Sequence, residues 1–110
     1  PHTPSTFHLL NARRLALLKK DAVVINTARG DIVVEEDLAT ALNDKLIMGA
    51  GLDVYEAEPK VNSELLKHKN VFLLPHLGSA TIETREAMGM RVFSNITDFF
   101  EGKDPADRVV

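Results

Sequence analysis

Apolar residues fall along this chain in two kinds of run. Ala22-Val23-Val24-Ile25 before Asn26 and Val71-Phe72-Leu73-Leu74 before Pro75 are short and continuous, without alternation. Such runs predict strands buried on both faces, as in a parallel sheet. Ile47 to Val54 is also apolar but carries the small residues Gly49, Ala50 and Gly51, which fits a strand against which something packs closely. Elsewhere the spacing is helical. Leu38, Ala41 and Leu42 stand at i, i+3 and i+4 in a segment from Glu35 to Asn43, and its leading Glu35, Glu36 and Asp37 suit a helix N-terminus. From Thr81 to about Glu101, Met88, Val92, Ile96 and Phe99/Phe100 form one stripe of a long helix, with Gly102 at the C′ position and Pro105 beyond it. Near the start, Leu9, Leu10, Leu15 and Leu18 suggest a helical turn and then a helix capped by Asn11 and closed by Lys19 and Lys20. The segment from Pro59 to Asn70 reads as a polar connector with one helical turn at Glu64-Leu65-Leu66.

Helices and strands in this order predict an α/β fold, three parallel strands with helices on the faces. Three strands make a thin sheet, and strands buried on both faces call for neighbours at an edge. The chain also opens on Pro1-His2-Thr3-Pro4 without a Met. Both features lead to the expectation of the C-terminal half of a larger α/β domain.

Composition narrows the function classes. The 110 residues are 45% hydrophobic and 26% charged, the profile of one soluble globular domain. A net charge of −3, with no Lys/Arg cluster, argues against a nucleic-acid partner. Zero cysteines rule out a thiolate nucleophile and a thiolate metal site, and they fit a reducing compartment, the cytoplasm. The apolar runs fall far short of a membrane span, so no membrane partner is expected.

Ligands of open α/β sheets bind past the carboxyl ends of the strands. Arg29, Asp53, Glu58 and His76 all fall there. Arg29 could cap the sheet or pair with a carboxylate, or it could grip a substrate carboxylate with its planar fork. His76 could be an ordinary half-buried histidine, or an acid/base group. Glu58 beside His76 would hold the imidazole in one tautomer. Asp53 could end a strand or accept a hydrogen bond from a carboxamide. His8 and His68 read as surface or packing residues, and His2 carries no assignment. No His-x-x-x-His pair supports a metal site, no Gly-x-Ser-x-Gly elbow supports a hydrolase, and Gly49-Ala50-Gly51 does not open a helix as a dinucleotide fingerprint does.

Three motifs occur in order: Ile25-Asn26-Thr27-Ala28-Arg29-Gly30, Gly49-Ala50-Gly51-Leu52-Asp53-Val54-Tyr55-Glu56-Ala57-Glu58-Pro59 and Pro75-His76-Leu77-Gly78-Ser79-Ala80-Thr81. Together with Pro1-His2-Thr3-Pro4-Ser5-Thr6 they resemble the C-terminal half of the nucleotide-binding domain of the D-isomer-specific 2-hydroxyacid dehydrogenases, a Rossmann-like doubly wound parallel sheet. The resemblance implies that residues 1–110 are a partial NAD(P)-binding domain lacking the Gly-rich phosphate turn, with 103–110 starting the return to a substrate domain. It implies Arg29, Glu58 and His76 as the catalytic trio. Asp53 would contact the nicotinamide carboxamide, Thr27, Ala28 and Gly78 would line the nicotinamide, and Pro4 and Thr6 would lie near the adenosine. NAD or NADP is the implied cofactor and a small 2-oxo or 2-hydroxy acid the substrate. The intact protein is expected to be a homodimer, and these residues alone are expected to be inactive. Gly78-Ser79-Ala80-Thr81 is more similar to the glyoxylate/hydroxypyruvate reductase group than to phosphoglycerate dehydrogenases. Formate dehydrogenases of this fold use Gln where Glu58 stands. An alternative within the same fold is a dinucleotide-binding corepressor. Val34 stands where the family often has Asp or Asn, a lost helix N-cap worth about 1 kcal/mol.

Overall fold

The computed structural model describes residues 2–109; Pro1 of the opening motif and Val110 lie outside the described residues. Residues 2–78 and 79–109 form two compact units. No helix among the described residues is long and apolar enough to cross a membrane.

The first unit is built on three strands, β1 (Val23–Asn26), β2 (Gly49–Leu52) and β3 (Val71–Leu73), in the order β1-β2-β3. All pairings are parallel, and Asn26, Leu52 and Leu73 stand level across the sheet. The strands therefore end together, and the loops that follow them emerge along one rim. Gly49 is required by close approach: a Cβ there would lie 2.5 Å from the Asn70 carbonyl oxygen, the residue leading into β3.

One helix, α2 (Glu35–Asn43), connects β1 to β2, and a shorter one, α1 (Ala12–Leu15), precedes β1 and packs on α2. Leu15 from α1, Leu38, Ala41 and Leu42 from α2, and Val24, Ala50 and Leu52 from the sheet share one core with Leu65 of the β2–β3 connector. Leu15, Leu38 and Leu65 are fully buried. Truncation of such a leucine to alanine typically costs about 2–5 kcal/mol.

Two expectations are corrected here and a third is refined. The sheet is not buried on both faces: β1 alternates, with Val24 and Asn26 inside while Val23 and Ile25 are exposed. Ile25 and Phe72 share a row with Gly51 across the open face and are 65% and 68% exposed. The helix near the start stops at Leu15, one turn long, so Lys19 and Lys20 follow it in a turn and do not close it. Asn11 nonetheless caps it, accepting from the Arg14 N–H at 3.2 Å. Finally, Val34 gives α2 no side-chain cap, but the helix end is not left bare. The Glu35 N–H donates to Glu56 Oε2 at 3.0 Å, and the Glu56 N–H donates back to Glu35 Oε1 at 2.7 Å. A distant carboxylate thus replaces the missing cap. Burial pushes the Glu35 carboxyl above its ordinary range, and the Glu56 N–H partly offsets this.

In the second unit α3 (Ile82–Phe100) starts on Thr81, whose hydroxyl accepts from the Thr84 N–H, and ends on Gly102 at φ 73°. Its ends match the expectation, but none of its residues is buried, so the Met88-Val92-Ile96-Phe99 stripe is exposed. The following segment folds back onto the helix through Asp107, which accepts from Arg91 Nε and Nη2 and from Asn95 Nδ2. The Arg91 guanidinium and then the Asn95 amide hold the Asp107 carboxyl down to about 2.

Candidate active site

Each strand end delivers one loop to the rim, and each loop is held by a buried polar group. After β1, Asn26 is 6% exposed; its Oδ1 accepts from the Ala28 N–H at 3.1 Å and its Nδ2 donates to the Arg29 carbonyl at 2.8 Å. Thr27, Ala28 and Arg29 are exposed, and Arg29 Nη1 donates to the Ala28 carbonyl at 2.6 Å. Gly30 then presses against the β2 loop: a Cβ there would lie 1.9 Å from the Tyr55 carbonyl carbon. Gly30→Ala should therefore destabilise the fold by about 1–3 kcal/mol or more, since backbone cannot yield as a side chain does. Denaturant midpoints of the two proteins would check this, and equal midpoints would refute the packing described.

After β2, Asp53 is 6% exposed. Its Oδ1 accepts from the Leu77 N–H at 2.7 Å and its Oδ2 from the Gly78 N–H at 3.0 Å. Between those N–H groups and β3 stands His76, a non-glycine residue at φ 56°. A left-handed backbone costs such a residue on the order of 1 kcal/mol, so it persists where the surroundings over-determine it. The Asp53 carboxylate provides that constraint.

Tyr55 joins the loops. Its hydroxyl donates to the Leu74 carbonyl at 2.7 Å, and its N–H donates to Glu58 Oε1 at 3.1 Å. Burial raises the Tyr55 hydroxyl above its ordinary range, which keeps it a donor. Glu58 meets His76: Oε2 lies 2.9 Å and Oε1 3.1 Å from Nδ1. The hydrogen bond from His76, then the Tyr55 N–H, lower the Glu58 carboxyl below its ordinary range, with a smaller part from the Arg29 charge. An ionised carboxylate can only accept, so Nδ1 carries a proton and Nε2 is the nitrogen turned to other partners.

A carboxyl whose folded value lies below its unfolded one stabilises the fold above the unfolded value, and this is lost as pH falls through the lowered value. Glu58→Gln should thus be less stable than the parent at neutral pH, with the difference vanishing only below pH 4.5, the ordinary glutamate value. Thermal midpoints across pH would measure it; a difference independent of pH would refute it.

Arg29, Asp31, Glu56, Glu58 and His76 surround a single cavity of about 410 Å³. A second, of about 490 Å³, is lined by His2, Thr27, Ala28 and Arg29, so Arg29 belongs to both. On its other side the Glu58–His76 pair borders an apolar cavity of about 300 Å³ lined by Tyr55, Val61, Leu66, Leu73 and Pro75. Pro4 and Thr6 line none of these three cavities and lie in a turn where the Thr6 N–H donates to the Thr3 carbonyl at 3.0 Å. His8 makes a contact at the surface, its Nε2 lying 2.8 Å from Glu56 Oε1. Among the described residues no group of three His, Asp or Glu side chains could hold a metal ion. Asn26 and Tyr55 were not singled out by sequence; an amide ending an apolar strand is the one signal that points to the first.

A parallel sheet with ionisable side chains gathered past its strand ends is the arrangement of Rossmann-like proteins. The chain belongs to the family described as D-isomer specific 2-hydroxyacid dehydrogenase, NAD binding domain, which matches residues 1–78. It is similar to the glyoxylate reductase of Thermococcus litoralis, 47% identical over 109 residues that make up 99% of this chain and 33% of that protein. It is also similar to the glyoxylate/hydroxypyruvate reductase B of Erwinia tasmaniensis, 46% identical over 94% of this chain and 32% of that one. Among solved structures, the NADPH-dependent glyoxylate/hydroxypyruvate reductase of Sinorhizobium meliloti, in complex with NADP and malonate, superposes with a TM-score of 0.88 at 47% identity, covering 91% of this chain and 31% of that chain. The D-mandelate dehydrogenase of Rhodotorula graminis, in its apo form, gives 0.87 at 36% identity, over all of this chain and 33% of that one. The chain spans about a third of the length of the curated relatives it matches.

Proposed function

We propose that the full-length protein is an NAD(P)-dependent reductase of small 2-oxo acids, glyoxylate or hydroxypyruvate, and that Arg29, Glu58 and His76 carry the chemistry. The observation that supports this most is the Glu58–His76 pair, 2.9 Å apart on the same cavity as the Arg29 fork. An acid/base and a carboxylate-binding cation facing one space are what 2-oxo acid reduction requires.

In this reading Arg29 grips the substrate carboxylate with two of its N–H groups and turns the 2-oxo carbonyl toward His76. His76 gives the proton on Nε2 to the carbonyl oxygen as that oxygen takes up charge, and the carbonyl becomes a hydroxyl. Glu58 fixes the ring through Nδ1 and offsets the imidazolium charge before transfer. A nicotinamide held by Thr27, Ala28 and Gly78 would supply the hydride that the carbonyl carbon takes up. The cavity lined by His2, Thr27, Ala28 and Arg29 adjoins the substrate space and would take the cofactor's reactive end, Thr27 and Ala28 being exposed there. Gly78 would line the same end. Pro4 and Thr6 would lie toward the adenosine. Asp53 has one bond on each oxygen in this structure, so an accepted bond from a carboxamide would use a remaining lone pair. Residues 1–110 alone, a partial NAD(P)-binding domain, would be inactive; the intact protein would act in the cytoplasm as a homodimer. The relatives are named as reductases and lend no support to the corepressor reading.

The test is oxidation of NADH and of NADPH by the full-length protein with glyoxylate and with hydroxypyruvate. Turnover of at least one acid at ordinary enzyme rates, about 1 per second or more, is expected. Cofactor binding without turnover of any 2-oxo acid would refute the proposal.

A further inference from the structure

Asn26 sits where the core calls for an apolar side chain. It is the last residue of β1, and with Val24 it points to the buried side of the sheet. An amide in such a place costs free energy unless its hydrogen bonds are made. Here both of the amide's bonds go to the three residues that follow. Oδ1 takes the Ala28 N–H and Nδ2 gives to the Arg29 carbonyl, closing the loop 27–29 on itself. The Asn26 main-chain carbonyl accepts from the Asp53 N–H at 3.0 Å, which ties the same point to the loop that holds His76.

Without Asn26 the loop has little to hold it. Thr27, Ala28 and Arg29 are all exposed, and the one other bond to the Arg29 carbonyl comes from the Ile32 N–H at 3.3 Å. On the far side Gly30 is seated against the Tyr55 backbone. The root of Arg29 is thus fixed at two points, the Asn26 amide before it and the Gly30 contact after it, while its guanidinium remains at the surface. From this we infer that Asn26 is a positioning residue for Arg29: its amide sets where the guanidinium can meet a substrate carboxylate. This inference rests on the role given to Arg29 in the proposed function.

Purely structural work by Asn26 and positioning of Arg29 make different predictions. A side chain that only supports the fold lowers activity to the same degree whether or not Arg29 is present. One that acts through Arg29 loses its effect once Arg29 is gone, which a double-mutant cycle reads directly. Asn26→Asp keeps the acceptor for the Ala28 N–H but turns an oxygen toward the Arg29 carbonyl. Asn26→Ser is the milder change, keeping a hydroxyl that can make one of the two bonds.

The experiment measures kcat and KM for glyoxylate, and NADPH affinity by fluorescence titration, in the full-length protein. It compares the parent, Asn26→Asp, Asn26→Ser, Arg29→Ala and the Asn26→Asp/Arg29→Ala double variant. Because displacement of a binding group by an ångström can cost on the order of 10²-fold, Asn26→Asp should raise KM for glyoxylate by about tenfold or more. Asn26→Ser should fall between it and the parent. NADPH affinity should stay within about twofold, and in the Arg29→Ala background the Asn26 change should add less than about twofold. Asn26→Asp with the parent's KM, an equal loss in both backgrounds, or loss of NADPH binding in both Asn26 variants would each overturn the inference. If Arg29→Ala is impaired while Asn26→Asp matches the parent, the positioning role alone falls. If Arg29→Ala itself turns over like the parent, the reading of the site falls with it.

Discussion

His76→Asn in the full-length protein should lower kcat for glyoxylate reduction by about 10²–10⁴-fold, the span a positioned general acid contributes. KM should change little if, as proposed, the ring gives its proton in the transition state and the carboxylate is held elsewhere. Asparagine is the informative substitution at this position. His76 stands at φ 56°, and Asn is among the few residues that tolerate a left-handed backbone. The turn that Asp53 holds through the Leu77 and Gly78 N–H groups should therefore survive, so a loss of rate reports on proton transfer and not on folding. Steady-state kinetics beside a thermal melt would check both halves. A variant with an unchanged melt and a kcat within a few-fold of the parent would remove His76 from the chemistry.

Arg29→Ala should be as damaging but differently distributed. In the proposed reading, removing the fork takes away both the carboxylate anchor and the charge beside the developing alkoxide, so KM should rise and kcat fall, kcat by about 10²–10³-fold. Arg29→Lys should recover only part of the loss. A lysine restores the charge but not two parallel N–H donors in a fixed plane. Among the described residues the guanidinium hydrogen-bonds only the Ala28 carbonyl of its own loop, and Arg29 is exposed, so the fold should tolerate either change. Recovery of full activity by Arg29→Lys would show that charge, not geometry, is what this position provides.

Much of the rim was legible before the structure because it depends on local order. Asn26, Leu52 and Leu73 end strands that run parallel and level, so residues a few positions further on are brought to one edge by topology alone. Arg29, Glu58 and His76 follow from that and from the three motifs. What was not legible depends on partners far away in sequence. The Asp53 carboxylate reaches Leu77 and Gly78, and Tyr55 reaches Leu74, across strand pairings whose register the pattern does not specify. The α2 N-terminus is satisfied by Glu56, 21 residues further on, whereas local sequence shows only that Val34 lacks a capping side chain. The continuous apolar run of β1 suggested burial on both sides, yet Ile25 lies over the bare Gly51 on an open face. Hydrophobicity shows what a side chain favours, while exposure depends on what else is packed there.

In the proposed function Arg29 and His76 act on one 2-oxo acid, the first on its carboxylate and the second on its carbonyl oxygen. The most direct measurement is a crystal structure of the full-length protein with NADP and oxamate, a glyoxylate mimic whose carbonyl is not reduced. It should show the oxamate carboxylate on the Arg29 guanidinium, His76 Nδ1 still on Glu58, and Nε2 about 2.6–3.2 Å from the oxamate carbonyl oxygen. Oxamate bound elsewhere, or Nε2 turned from the carbonyl with Arg29 still on the Ala28 carbonyl, would contradict it.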